Sequence, residues 1–345
     1  MFRPLNGVIL AGGEGTRLRP LTDSLPKPML PILDVPCIKY VVSSLAQAGI
    51  QGVYLTCGYK SEDLIQNLRN VDFGVDVHFT VEEQPAGTAG AVKLLEDQLS
   101  DVFVVASGDV LADVDMNVLL NEHQQSGAVA TMALTSVENP SEFGIVGLDE
   151  TGAVTRFKEK PAAEEVFSNL INAGIYILNK EVLEYIPAGE KFDFSKQLFP
   201  ALLEDGKKIQ GSVLQGMWVD IGHPDDLLRA NLQMAERRGT MGDRNNARCE
   251  GPIVSSNFAT SRCTVVGPAY IGANVSIGDN AVLNSAAVGH DSVIGADSEL
   301  NGVFMRNNCT IGRDCRLQNV LLGEGCKITD GSILSDAIFG DYQTS

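Results

Sequence analysis

An α/β fold, a mostly parallel sheet followed by a stack of short parallel strands, is what this sequence predicts. Three observations predict it. Up to about residue 235, short apolar runs alternate with stretches of helical spacing, and strand–helix–strand order makes a parallel sheet covered by helices on both faces. From residue 253 onward the pattern changes to imperfect hexapeptides, "YIGANV", "SIGDNA", "VLNSAA", "VGHDSV" and "IGADSE". Between them, residues 236–252 ("ERRGTMGDRNNARCEGP") are polar and unpatterned, and read as a linker.

In chain order, "GVIL" (7–10), "GVYLT" (52–56), "DVHFT" (76–80) and "VFVVAS" (102–107) read as strands, several of them buried on both faces. "IKYVVSSLAQAG" (38–49), "SEDLIQNLR" (61–69) and "GTAGAVKLLEDQL" (87–99) have helical spacing, with Ser61 the expected N-cap. Residues 1–235 are therefore expected to be a Rossmann-like domain. In such sheets ligands bind beyond the carboxyl ends of strands, near a switch in strand order.

In residues 253–345 the aliphatic anchors Ile271, Val288, Met305 and Leu322 recur at a seventeen-residue step. Within a turn they run Ile271, Ile277, Leu283, then Val288, Ile294, Leu300. Two six-residue sides and one five-residue side close a triangular coil, and each coil buries its face only against its neighbours. The hexapeptide pattern resembles the left-handed parallel β-helix. Cys309, Cys315 and Cys326 each follow an anchor by four residues, the place of a small inward side chain, so they are expected to be core packing.

The 345 residues, 44% hydrophobic and 20% charged, are those of a globular protein large enough for two domains. The net charge of −18 argues against nucleic acid or anionic membrane as partner. No apolar stretch approaches membrane-spanning length, and the first residues lack a signal peptide's apolar core, so a cytoplasmic protein is expected. The seven cysteines include no C-x-x-C pair. Against this acidic background "GVILAGGEGTRLRPLTDSLPKPMLP" (7–31) stands out as cationic and glycine-rich. It is not a Walker A loop, because no lysine follows the glycines, and Leu18 stands where a dinucleotide fingerprint needs its third glycine. A glycine-rich turn after the first strand still lets backbone N–H groups approach a phosphate, and Arg17, Arg19 and Lys27 add positive charge.

"GGEGTRLRPLTDSLPKPMLPI" (12–32) is similar to the signature of the sugar-1-phosphate nucleotidylyltransferases, the nucleoside-diphosphate-sugar pyrophosphorylases. The likeness continues in order through "EEQPAGTAGAV" (82–92), "SGDVL" (107–111), "FGIV" (143–146), "FKEKP" (157–161), "NAGIYIL" (172–178) and "WVDIGHPDDLLRAN" (218–231). The hexapeptide tail resembles that of the longer members, so the likeness covers essentially the whole chain. It implies a reaction that joins a nucleoside triphosphate to a sugar 1-phosphate and releases pyrophosphate, an in-line displacement that needs positioning and charge neutralisation.

By the same resemblance Leu10, Ala11, Gly12, Gly13, Gly15, Thr16, Gly87 and Thr88 contact the nucleotide. Arg17 neutralises the leaving pyrophosphate, and Lys27, fixed between Pro26 and Pro28, stabilises charge at the α-phosphate. Asp109 and Asp220 share one Mg²⁺, a cation that takes a few carboxylates plus phosphate and water. Gly144, Glu159, Lys160 and Asn172 form the sugar-phosphate side, with Glu159 accepting from sugar hydroxyls and Lys160 holding the phosphate. The base is left between two residues: guanine's two adjacent donors suit the carboxylate of Glu83, whereas uracil or thymine suits the amide of Gln84.

The wording of "PAGTAGA" and "NAGIY" and the seventeen-residue coils look most like mannose-1-phosphate guanylyltransferases, implying GTP and mannose 1-phosphate. A glucose-1-phosphate thymidylyl- or uridylyltransferase is the alternative. Two readings come from other classes. A hexapeptide acyltransferase would use His290, and a non-catalytic sensor of nucleotide sugars could lose Arg17, Lys27, Asp109 or Asp220, all of which are present. The coil is expected to serve assembly of a homo-oligomer.

Overall fold

The computed structural model describes residues 5–13, 15–58, 61–242, 247–260 and 262–345. Contacts gather the chain into two compact units, Met1–Gly13 with Ile38–Trp218 and Glu14–Cys37 with Val219–Ser345. The part of the cationic segment that carries Arg17, Arg19 and Lys27 thus groups with the coil, while its first glycines stay with the sheet.

In the first unit nine strands form one sheet among the described residues. They are β1 (Asn6–Leu10), β2 (Gly52–Cys57), β3 (Asp76–Val81), β4 (Val102–Ser107), β5 (Ala130–Ser136), β6 (Gly144–Leu148), β7 (Val154–Glu159), β8 (Leu170–Asn179) and β9 (Ile209–Val213). The order is β7-β6-β8-β4-β1-β2-β3, with β5 paired to β8 and β9. Strands β4, β1, β2 and β3 are parallel, while β8 runs antiparallel to β4. The chain moves outward from β1 to β3 and then returns to β4 on the other side of β1, which places the switch point between β1 and β4. Leu10 is in register with both Thr56 and Ser107, so the carboxyl ends of these strands are level. Val8, Phe103, Val105, Met132, Leu134 and Val146 fill one core with Tyr176, Phe194 and Phe199, whose rings meet at centroid distances of 4.9 to 5.8 Å.

The helices between these strands are α1 (Cys37–Gln47), α2 (Glu62–Leu68), α3 (Gly87–Lys93), α4 (Met116–Ser126) and α5 (Phe199–Glu204). Two expectations need correction. Ser61 does stand at the N-cap of α2, but its hydroxyl is buried and makes no capping bond. The helix expected over 87–99 ends at Lys93, because Leu95, Glu96 and Gln98 donate to carbonyls three residues back and tighten the chain into turns. Helix α4 is capped by Asp115, which accepts from the Asn117 N–H at 2.9 Å. Its buried His123 lies between the Thr131 hydroxyl (2.9 Å) and the Asn179 side-chain oxygen (3.0 Å).

In the second unit, helix α6 (Pro224–Arg238) packs on the coil strands Ile253–Ser255, Ala269–Ile271 and Val282–Val288. The expected linker is in part ordered: α6 runs to Arg238 and Ala247–Glu250 is a coil strand paired with Cys263–Val266. Residues 243–246 of it lie outside the described residues. Beyond it stands a parallel β-helix with the expected register. Ile271 pairs with Val288, Val288 with Met305 and Met305 with Leu322. Ile277, Ile294, Ile311 and Ile328 align on a second face, and Leu283, Leu300, Leu317 and Leu334 on the third. Cys309, Cys315 and Cys326 are fully buried in this core.

The corners explain how an L-chain closes the triangle. From residue 274 on, the corners hold residues of positive φ, in columns Asn274, Asp291, Asn308, Gly325; Asn280, Asp297, Asp314, Gly331; and Ser285, Gly302, Asn319, Asp336. Asn, Asp and Gly adopt this left-handed conformation at least cost. Side-chain ladders such as Asn274 to Asp291, Asn280 to Asp297 and Asn319 to Asp336, all at 3.0 Å, stitch the coils together.

Candidate active site

Within the second unit the cationic loop folds onto itself. Gly15 takes φ +62° at the start of a short turn, Thr16–Leu18, and a Cβ there would lie 3.0 Å from Lys27 Cβ. The Thr22 hydroxyl donates to the Gly15 carbonyl at 2.8 Å. Lys27 opens a second turn with Pro26 before it and Pro28 after it, which fix the local backbone. It is only 7% exposed, and its Nζ lies 3.4 Å from Asp220 Oδ1, a residue far along the chain. Arg17 Nη1 meets His223 Nε2 at 3.1 Å. The turn between these partners is close to both: a Cβ on Gly222 would lie 3.2 Å from Asp220 Oδ2 and 3.5 Å from Arg17 Nη2.

Helix α6 holds that turn in place. The His223 N–H donates to Asp226 Oδ2 at 2.9 Å, and Pro224 occupies the first helical position, where a missing N–H costs nothing. One helical face further on, fully buried Asn231 accepts from the Leu33 N–H (2.6 Å) and donates to the Pro31 carbonyl (3.2 Å). Arg17, Lys27 and Asp220 are thus brought together around one turn. His223 and Asn231 were missed, though both stand inside the quoted "WVDIGHPDDLLRAN" segment, where a proline-led helix start was the available signal.

Within the first unit, Leu10 ends β1, and the buried Ala11 donates its N–H to the Thr56 carbonyl at 3.0 Å. Gly12 and Gly13 follow, exposed. A Cβ on Gly13 would lie 3.6 Å from Asp109 Oδ2, so the glycine turn runs beside that carboxylate. Asp109 sits in the tight turn after β4, where Gly108 donates to the Leu10 carbonyl at 2.8 Å and has no room for a side chain. Glu83 and Gln84 form the exposed bend between β3 and α3. Buried Glu82 shapes that bend by accepting the Ala86 N–H at 2.9 Å. Gly87 has φ +75°, and a Cβ there would meet the Phe192 carbonyl at 2.7 Å. Thr88 is engaged by its neighbours: its N–H donates to Asp193 Oδ1 (3.1 Å) and its hydroxyl accepts the Phe194 N–H (3.0 Å).

The four sugar-side residues also converge. Gly144 pairs with Glu159 across β6 and β7, and a Cβ on it would lie 2.8 Å from Glu159 Oε2. Burial pushes the Glu159 carboxyl above the usual range, opposed by Lys160, Lys196 and the Ser195 hydroxyl. Lys160 has φ +44° and donates its N–H to the Phe143 carbonyl at 2.9 Å. Asn172 lies at an irregularity of β8, accepting from Gly174 N–H and donating to the Tyr176 hydroxyl, both at 2.9 Å. The Trp218 indole closes on the same stretch by donating to the Ala173 carbonyl at 2.9 Å. Ser195, Lys196 and Trp218 were not singled out from sequence.

His290 is structural. Its Nδ1 accepts the Ala273 N–H at 2.7 Å, and its own N–H donates to Asn307 Oδ1 at 2.9 Å, so it serves the coil ladder. Among the described residues no three His, Cys, Asp or Glu side chains cluster as a metal site, and no helix is long and apolar enough to cross a membrane.

A family model described as nucleotidyl transferase matches residues 6–237. The chain belongs to the nucleotidyl transferase family. Within this family it is 32% identical over 315 residues to a UTP–glucose-1-phosphate uridylyltransferase of Synechocystis, covering 81% of each chain. It is 34% identical over 277 residues to a mannose-1-phosphate guanylyltransferase of Mycobacterium tuberculosis, 79% of this chain and 77% of that one. It is 39% identical over 236 residues to the mannose-1-phosphate guanyltransferase of Debaryomyces hansenii, 66% of this chain and 64% of that one. A solved structure from Bacillus anthracis, assigned as a glucose-1-phosphate thymidylyltransferase, superposes with TM-score 0.61 at 29% identity, covering 69% of this chain and 98% of that one. HddC of Yersinia pseudotuberculosis, complexed with GMP-PN, superposes with TM-score 0.57 at 27% identity, covering 68% of this chain and 100% of that one. Sugar-1-phosphate nucleotidyl transfer is the activity that these likenesses support.

Proposed function

We propose that this nucleotidyl transferase joins GTP to mannose 1-phosphate, releasing pyrophosphate and GDP-mannose. The observation that carries the reading is the pairing of nearly buried Lys27 with Asp220 at 3.4 Å, with Arg17 held beside the same turn. A solvated loop has no reason to bury a lysine. A displacement at phosphorus does, because it needs fixed cations where charge moves.

In this reading the backbone after Leu10, from Ala11 through Gly12, Gly13, Gly15 and Thr16, admits the triphosphate. Arg17 carries the charge of the departing pyrophosphate and Lys27 that on the α-phosphate. Glu159 and Asn172 orient the sugar, Gly144 makes room for the Glu159 carboxylate, and Lys160 holds the sugar's phosphate. Glu83 or Gln84, with Gly87 and Thr88, faces the base. Asp109 and Asp220 are the proposed ligands of Mg²⁺. Both offer hard oxygen donors and are only partly exposed, with no nearby cluster of nitrogen or sulfur ligands among the described residues, which fits that cation better than zinc. When bound, the cation would neutralise phosphate charge. Residues 1–235 are proposed as the catalytic domain and 253–345 as a left-handed β-helix through which a homo-oligomer assembles.

The guanine choice is supported by the mycobacterial and yeast relatives and by the GMP-PN complex of HddC. The Synechocystis relative favours a second reading, UTP with glucose 1-phosphate. Pyrophosphate release, measured for each of the common NTPs against mannose, glucose and N-acetylglucosamine 1-phosphates, separates them. GTP with mannose 1-phosphate is expected to be fastest. A faster UTP or dTTP reaction with glucose 1-phosphate would replace this pair by the second.

A further inference from the structure

We propose that Asp341, in the last coil turn, is a positioning residue for the loop that carries Arg17 and Lys27. The Ser24 hydroxyl, in the middle of that loop, donates to Asp341 Oδ2. Next to it the chain approaches the loop so closely that a Cβ on Gly340 would lie 3.1 Å from Pro20 Cβ. Asp341 is itself held firmly. Its Oδ1 accepts the Glu324 N–H at 2.8 Å and Arg306 Nη1 at 2.9 Å, while Arg306 Nη2 reaches Glu324 Oε2 at 3.5 Å. These three side chains are only 13% to 17% exposed, so solvent screens the network little.

The coil's own construction accounts for half of this arrangement. Two coil steps earlier, Asn307 Oδ1 accepts the His290 N–H in the same column, and Asp330 Oδ1 accepts the Arg313 N–H in another. An acceptor at Asp341 Oδ1 is therefore what the ladder requires. The bond from Oδ2 to Ser24 lies outside that ladder and ties the last coil to the phosphate loop. Asn231 of α6 fixes the far end of the same loop at Pro31 and Leu33. The loop is thus anchored on either side of Lys27 by groups that touch no phosphate, and the coil contributes to catalysis by preorganising it.

This inference rests on the nucleotidyl-transfer reading. Its test is the set Ser24→Ala, Ser24→Thr, Asp341→Ala and the Ser24→Ala/Asp341→Ala double variant. Amide hydrogen exchange of residues 15–30 is read with KM for each substrate. Ser24→Ala leaves the ladder intact, so the thermal midpoint and coil exchange should not change. Loop exchange should quicken and KM for the nucleotide rise about fivefold, the scale of one ordinary hydrogen bond, with KM for the sugar phosphate unmoved. Ser24→Thr should restore both, and in the double variant the two substitutions should not add. Unchanged loop exchange with nucleotide KM within about twofold of the parent, or full additivity, would overturn the proposal. A parent protein that releases no pyrophosphate would defeat the function reading instead, while the exchange comparison would still decide the coupling.

Discussion

The sheet and the coil both pair parallel strands, the sheet beside antiparallel ones, yet they encode their neighbours differently. Asn6 of the sheet pairs with Gly52 on one side and Phe103 on the other, partners brought together only by intervening helices. In the coil Leu283 pairs with Leu300 and Leu300 with Leu317, always the same step along the chain. A local period therefore writes the coil's register into the sequence, whereas the sheet's order depends on packing across long separations. The cationic loop shares the sheet's problem, since Asp220, His223 and Asn231 reach it from some two hundred residues away.

The largest expected effect breaks the loop and spares the coil. Lys27→Ala should lower kcat/KM by roughly a thousandfold, as loss of a fixed transition-state charge does, with the circular dichroism spectrum unchanged. An effect under about tenfold would remove Lys27 from the phosphates. The next contrasts the two β architectures directly. A Cβ on Gly295 in the coil would lie 2.3 Å from the Gly312 carbonyl oxygen of the next coil, whereas one on Gly52 in the sheet meets nothing within 4 Å. Gly295→Ala should cost about 3 kcal/mol in denaturant melts and Gly52→Ala close to nothing. Equal costs would mean that the coils stack less tightly than described.

The smallest effect is a pH dependence confined to the sheet unit. Burial lowers the pKa of His123 below its ordinary 6.5, with the Asn179 bond opposing. As pH falls, the unfolded chain takes up this proton before the folded one does. The stability is therefore complete above about 6.5 and is lost as pH falls from there toward the lowered folded value. Thermal midpoints measured across that window should fall more steeply for the parent than for His123→Gln. Parallel curves would exclude His123 as the source.

What was legible in the sequence follows from the same contrast. The coil anchors, the buried cysteines and the strands up to Ser107 follow from apolar patterning, which is local. The corner columns could have been read too, because Asn, Asp and Gly recur there at the anchors' own period. The end of α3 at Lys93 was not legible, since Leu94 to Leu99 keep helical spacing while Leu95, Glu96 and Gln98 shift their hydrogen bonds to tighter turns. The bond from Ser24 to Asp341 and the pairing of Lys27 with Asp220 are tertiary, and no spacing announces them.

The central claim is that this chain moves a nucleotidyl group onto a sugar phosphate. Phosphorus NMR of the protein with MgGTP and mannose 1-phosphate follows every phosphorus at once. Pyrophosphate and a sugar-linked diphosphate should appear in equal amounts as GTP and mannose 1-phosphate disappear. Orthophosphate formed from GTP, pyrophosphate without the sugar diphosphate, or an unchanged spectrum with this and every other NTP and sugar phosphate would contradict it.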